Sequence, residues 1–171
     1  RRLAVVAAAA LAASGAGLYA ARARPLRLEG ALAADLERLH LRSFSRAEPC
    51  EFQSDDPARV AGWLESALGY RVDVPSMPGA TLLGARRCNV AGEPAAHLLY
   101  RVGDHALTVI VPAAGSGAAK ATARFASNGP RCTEGPLGEG ICVVPEAAQT
   151  AVAVSDVAPP ALLSLLDPRR R

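Results

Sequence analysis

Four cysteines and three histidines are the side chains of this chain best suited to metal or redox chemistry. Their spacing restricts what they can do. Cys50, Cys88, Cys132 and Cys142 never form Cys-x-x-Cys, so the sequence contains neither a zinc-ribbon nor a thioredoxin-like pair. An even cysteine count beyond an apolar N-terminal segment favours disulfides in an oxidising compartment. Four cysteines allow three connectivities. Cys132 with Cys142 is preferred because it closes CTEGPLGEGIC, a Gly- and Pro-rich loop whose tethering is worth on the order of 3 kcal/mol in the chain-entropy account. Cys50 and Cys88 are then left for each other. Four buried, reduced thiols are the alternative.

Two histidines lie in GEPAAHLLYRVGDHALTVIVP, from Gly92 to Pro112. Gly103-Asp104, a Gly-first two-residue loop between apolar runs, predicts a tight hairpin. This register puts Val102 with His105, Tyr100 with Leu107, Leu98 with Val109 and Ala96 with Val111 on one almost wholly apolar face. Arg101 with Ala106, Leu99 with Thr108 and His97 with Ile110 take the other face. His97 then lies roughly 17 Å along the strand from the position opposite His105, on the opposite face, so the two cannot share a metal. His105 is expected as a sheet-end side chain, His97 as a member of the more polar face, and His40 as a packing residue beside a helical stripe.

Other motifs fail on context. Gly15-Ala16-Gly17-Leu18-Tyr19-Ala20 fits the dinucleotide fingerprint, but no alternating strand and helix units follow it to build a parallel sheet. AAGSGAAK places Lys120 between alanines instead of in Gly-Lys-Ser/Thr, so it does not make a phosphate loop. Gly115-Ser116-Gly117 is not a nucleophile elbow, and nothing marks a histidine and acid to activate Ser116. Asp104 and His105 are adjacent, so on an extended chain their side chains point oppositely and make a poor acid/base pair. The sequence therefore offers no catalytic residue, metal ligand or cofactor motif, and a non-enzymatic protein is expected.

The elements that hold these residues begin after LAVVAAAALAASGAGLYA, Leu3 to Ala20, eighteen uncharged residues between flanking arginines. That length approaches what a helix needs to cross about 30 Å of hydrocarbon, so residues 1–24 are expected to form a transmembrane helix, with an uncleaved signal as the rival. All sixteen acidic residues lie between Glu29 and Asp167, against eleven basic ones there, a net of −5. With aromatics at only 4%, this balance argues against nucleic acid as a partner.

Residues 28–168 read as one α+β domain. EGALAADLERLHLRSF carries Leu32, Leu36 and Leu39 on a helical stripe, with Glu37, Arg38 and Arg42 away from it. SDDPARVAGWLESALGY has Asp56 as N-cap, Pro57 at the first helical position and Gly69 as the stop, with Trp63 as a packing anchor on the core side. TLLGARRCNV, PAAHLLYRV and HALTVIVP predict three antiparallel strands, and GICVVP with QTAVAVSD a second pair. Residues 113–130 look irregular, and APPALLSLLD predicts a closing helix. About three helices and an antiparallel sheet are expected, with Trp63, Leu98, Tyr100, Leu107 and Val109 in the core.

Three of these stretches, DPARVAGWLESALGYRVDVP, LLGARRCNVAGEPAAHLLYRVGDHALTVIVP and VAVSDVAPPALLSLL, also carry a family resemblance. In order and spacing they resemble the extracytoplasmic half of membrane-anchored anti-sigma factors of the zinc-finger class, over about residues 31 to 167. The resemblance rests on the Asp-Pro helix with Trp63, Gly84-Ala85-Arg86, Tyr100-Arg101 with His105, and Ser155-Asp156. It implies a bacterial inner-membrane protein with one span and an outer domain that controls release of a sigma factor. The sigma factor itself would be held by an N-terminal zinc-binding domain with a His-x3-Cys-x2-Cys signature, which these residues lack. An envelope protease or a periplasmic regulator is the partner such an outer domain would meet. The competing expectation is an independent secreted or anchored periplasmic binding protein.

Overall fold

A computed structural model describes residues 27–146 and 148–166. The expected span over residues 1–24 and the Gly15–Ala20 fingerprint lie outside them. Among the described residues no helix is long and apolar enough to cross a membrane.

The fold is α+β. Seven strands form one sheet in the order β1-β2-β3-β4-β7-β6-β5, with every neighbouring pair antiparallel. In chain order these are β1 (Phe52–Gln53), β2 (Ala80–Val90), β3 (Glu93–Val102), β4 (His105–Pro112), β5 (Arg131–Glu134), β6 (Gly140–Pro145) and β7 (Thr150–Ser155). Four helices cover the sheet: α1 (Gly30–Phe44), α2 (Pro57–Leu68), α3 (Gly117–Phe125) and α4 (Pro159–Leu166).

Helix α2 starts where the Asp56 carboxylate accepts from the N–H groups of Ala58 and Arg59, and it stops at Gly69 with φ 78°. The β3–β4 hairpin pairs Val102 with His105, Tyr100 with Leu107, Leu98 with Val109 and His97 with Ile110. The Gly103-Asp104 loop sets this register. In β2 the register shifts between Leu82 and Gly84. A Cβ on Gly84 would strike the Phe52 carbonyl, so glycine there lets the short edge strand β1 approach.

Both faces of the sheet are buried. One, with Leu98, Tyr100, Leu107 and Val109, packs under α2 and α4 through Val60, Leu64 and Leu162. The other, with Ile110, Ile141, Val152 and Val154, packs under α1 and α3 through Leu32, Leu36 and Phe125. Alternation along β7 feeds both layers: Ala151 and Ala153 face the first, Val152 and Val154 the second.

The second covered face corrects two expectations. Residues 113–130 do not form an irregular excursion, because Ser116 caps a helix over Gly117–Phe125 by accepting from the Ala119 N–H at 3.0 Å. Among the described residues the helices thus number four, where about three were expected of the domain. His97 does not lie on a polar face either. Helix α1 covers that face, and His97 is fully buried.

Candidate functional site

The most built polar feature lies where α1 meets the β5–β6 hairpin. Cys132 and Cys142 are directly opposite in the pairing of β5 with β6 and are joined by a disulfide. Beyond them the chain turns through Gly135-Pro136-Leu137-Gly138, with the Gly135 N–H donating to the Glu139 carbonyl and the Gly138 N–H to that of Gly135. The turn aims two N–H groups at α1. Both oxygens of the Glu37 carboxylate accept from the Leu137 N–H at 3.0 Å, and Oε1 also accepts from the Glu139 N–H at 3.0 Å. Glu37 is fully buried. A Cβ on Gly135 would overlap its carboxylate, so the glycine permits the approach.

Glu37 was expected away from the buried stripe, and the structure puts it inside. The signal that locates it is spacing: Ala33, Glu37 and His40 recur at the four- and three-residue intervals that share a helix face, and all three are buried. A charged residue on that line needs a partner. Local periodicity cannot show that the partner is a backbone turn about 100 residues away.

Two buried imidazoles lie beside this contact. His40 Nδ1 is 3.3 Å from Thr108 Oγ1, and Nε2 is 3.9 Å from Glu139 Oε2. Burial drives His40 down to about 4, against a smaller upward pull from Asp156. Neither ring nitrogen of His97 meets a hydrogen-bond partner among the described residues. Burial, with Arg86, His40 and Arg46 adding positive charge, drives His97 down to about 3. Burial, then Asp156 and Glu37, pushes Glu139 up. Both rings are therefore neutral at neutral pH, and His40 does more than pack, because it bridges α1 to β4.

The remaining residues singled out in the sequence are dispersed. Cys50 and Cys88 are free thiols, not a second disulfide, and burial raises both, Cys88 to about 12. A thiol so raised is a weak nucleophile. Trp63 is partly buried against the first core layer and stacks on Phe52 with ring centroids 5.5 Å apart. Leu98, Tyr100, Leu107 and Val109 are buried, and the Tyr100 hydroxyl donates to the Pro75 carbonyl at 2.9 Å.

His105 pairs with Asp156 at 3.1 Å, both about half exposed. Ser155 lies beside them, but its hydroxyl donates to the Ala106 carbonyl at 2.7 Å, so it is not poised as a nucleophile. The group ties the start of β4 to the turn before α4. Lys120 is an exposed residue of α3. Among the described residues no three His, Cys, Asp or Glu side chains converge as a metal site.

One hollow of about 430 Å³ opens on the first face. Met77, Val144, Leu163 and Leu166 wall it, and Ala151 and Ala153 form its floor. Small side chains on β7 leave the space that α4 and the Pro75–Pro78 loop do not fill.

No family model, curated protein or solved structure matches the chain.

Proposed function

We propose that this is the extracytoplasmic sensor and stability domain of a membrane-anchored anti-sigma factor of the zinc-finger class, a non-enzymatic module that governs release of a sigma factor. The observation that carries the reading is the Cys132–Cys142 disulfide. A cross-strand pair of this kind suits an oxidising compartment outside the cytoplasm. It accompanies the sequence resemblance over about residues 31 to 167. Under this reading the inhibitory zinc-binding domain precedes Arg1 in the reading frame, the segment Leu3–Ala20 spans the inner membrane, and a protease or regulator of the envelope meets the outer domain.

The genomic frame upstream of Arg1 gives the first test. A continuous frame encoding His-x3-Cys-x2-Cys, whose product retains a sigma factor on affinity capture, is the expected result. A start codon immediately before Arg1, with a mature N-terminus near Arg24, would overturn the reading.

The hollow beside α4 favours a second reading, an independent periplasmic binding or envelope protein with an apolar ligand. Fractionation bears on the choice: release in soluble form supports the second reading, whereas membrane retention through a high-salt wash supports an integral anchor, which the first reading requires and the second permits, so that sigma-factor capture then decides.

A further inference from the structure

We infer that the Cys132–Cys142 disulfide and the Glu37 carboxylate form a redox-released latch that holds α1 on the sheet. This goes beyond the proposed function, since it concerns the domain's own first helix and requires no sigma factor.

The receptor for Glu37 is made only of backbone. Two N–H groups of the Gly135–Glu139 turn converge on one carboxylate, which works only while the turn keeps its shape. Two features hold that shape. Internal hydrogen bonds close the turn at Gly135 and Gly138, and the disulfide fixes the two strands that lead into and out of it. Strand β5 is only four residues long and lies at the sheet edge, so its one neighbour is β6. The exit strand β6 is held along its length by β7, so without the bond it is the entry strand β5 that is left with only the short ladder to β6, α4 and the Arg131–Phe125 contact to keep its side of the turn in place.

Helix α1 also buries more polar side chains than any other described helix. Its footprint buries Glu37, His40 and Ser43, and His97 lies on the sheet face beneath it with no hydrogen-bond partner for either nitrogen among the described residues. Buried polar groups offset much of what Leu32, Ala33 and Leu36 contribute. A second polar hold, from Asp35 to the Ala91 N–H at 2.9 Å, is solvent-exposed and correspondingly weak. Elements of this kind open before the global unfolding of a domain.

A dithiol supplies the release. Its thiolate attacks Sγ of Cys132, the partly exposed partner. The Sγ–Sγ bond breaks, Cys142 leaves as a thiolate and takes up a proton, and the second thiol of the reagent resolves the mixed disulfide. Two electrons pass to the protein, which gains two thiols, and the reagent departs as its own disulfide.

Hydrogen exchange measured by mass spectrometry, with and without dithiothreitol, tests the latch. Reduction is expected to speed exchange of amides 34–44 by about tenfold or more while 96–111 keep their protection. Oxidised Glu37→Leu, which keeps the helix and removes the acceptor for both turn N–H groups, should show the same speeding, and reduction should then add less than about threefold, because both act on one contact. Gly135→Ala, which blocks the carboxylate from the turn side, should reproduce the effect and replaces Glu37→Leu if that variant does not fold. Three outcomes would overturn the inference: α1 staying protected on reduction, strands 96–111 opening together with it, or reduction and Glu37→Leu multiplying as independent factors.

Discussion

Replacing His97 with leucine should flatten the acid limb of the stability curve. His97 is fully buried and held down to about 3, so above that pH the folded protein keeps the ring neutral, whereas the unfolded chain protonates it near 6.5. The unfolded state therefore binds more protons over this window, and stability falls as pH falls. At pH 5 the unfolded imidazole is almost fully protonated and the native one is not, a loss of roughly 2 kcal/mol relative to pH 8. Further acidification adds about 1.4 kcal/mol per pH unit until the folded value is reached. His97→Leu removes this contribution. It also removes two buried nitrogens that have no partner among the described residues, so the variant should be at least as stable as the parent at pH 8. His40 loses a similar amount on its way to about 4, while Glu139, raised by burial, acts in the opposite sense. Both remain in the variant and largely cancel in the difference. Urea unfolding followed by Trp63 fluorescence at pH 5 and pH 8 measures it. With an m-value of about 2 kcal/mol/M, the difference between the two midpoints should grow by about 1 M at the lower pH. Parallel pH profiles for the two proteins would refute the reasoning.

Three further substitutions report on the core, a cap and the sheet edge. Leu98→Asp or Val109→Asp puts an unpaired carboxylate into the layer under α2 and α4 and should abolish the cooperative unfolding transition, as read by circular dichroism. Asp56→Ala removes the acceptor for two N–H groups at the start of α2 and should cost about 1 kcal/mol in urea unfolding. Gly84→Ala drives a methyl group into the Phe52 carbonyl, so β1 should detach and exchange at Phe52 and Gln53 should rise, with the β3–β4 hairpin unaffected.

What the sequence revealed depended on how local the deciding physics is. Asp56, Pro57 and Gly69 carry the bounds of α2 within a dozen residues, and Gly103-Asp104 fixes a register that propagates along β3 and β4. Cys132 and Cys142 stand close enough in sequence for their loop to show. Other features were hidden because their causes are remote. The β3–β4 face with His97 looks polar when read alone, and only the return of β7 beside β4, with α1 laid across, makes it a second core. Helix α3 is short and alanine-rich, and the glycines on either side of Ser116 read as loop, although its buried residues Ala118, Thr122 and Phe125 keep helical spacing. Glu37 reads as a solvated helix charge until the hairpin that accepts it is in place.

The sheet also has a seam. β2, β3 and β4 form one meander, and β5, β6 and β7 another, each built from neighbours joined by tight connections. The two meet only where β4 pairs with β7 through Leu107 with Ser155 to Ile110 with Val152. This closure joins residues more than forty positions apart, with α3 inside the loop, whereas each meander is local. High sequence separation delays such pairing, because the loop entropy is lost before the contacts form. A chain emerging from its N-terminal end thus completes the first meander with the apolar edge of β4 uncovered, and keeps it so until β7 has been synthesised. That interval, more than any property of the finished domain, is when the protein is open to edge-to-edge association with a second copy.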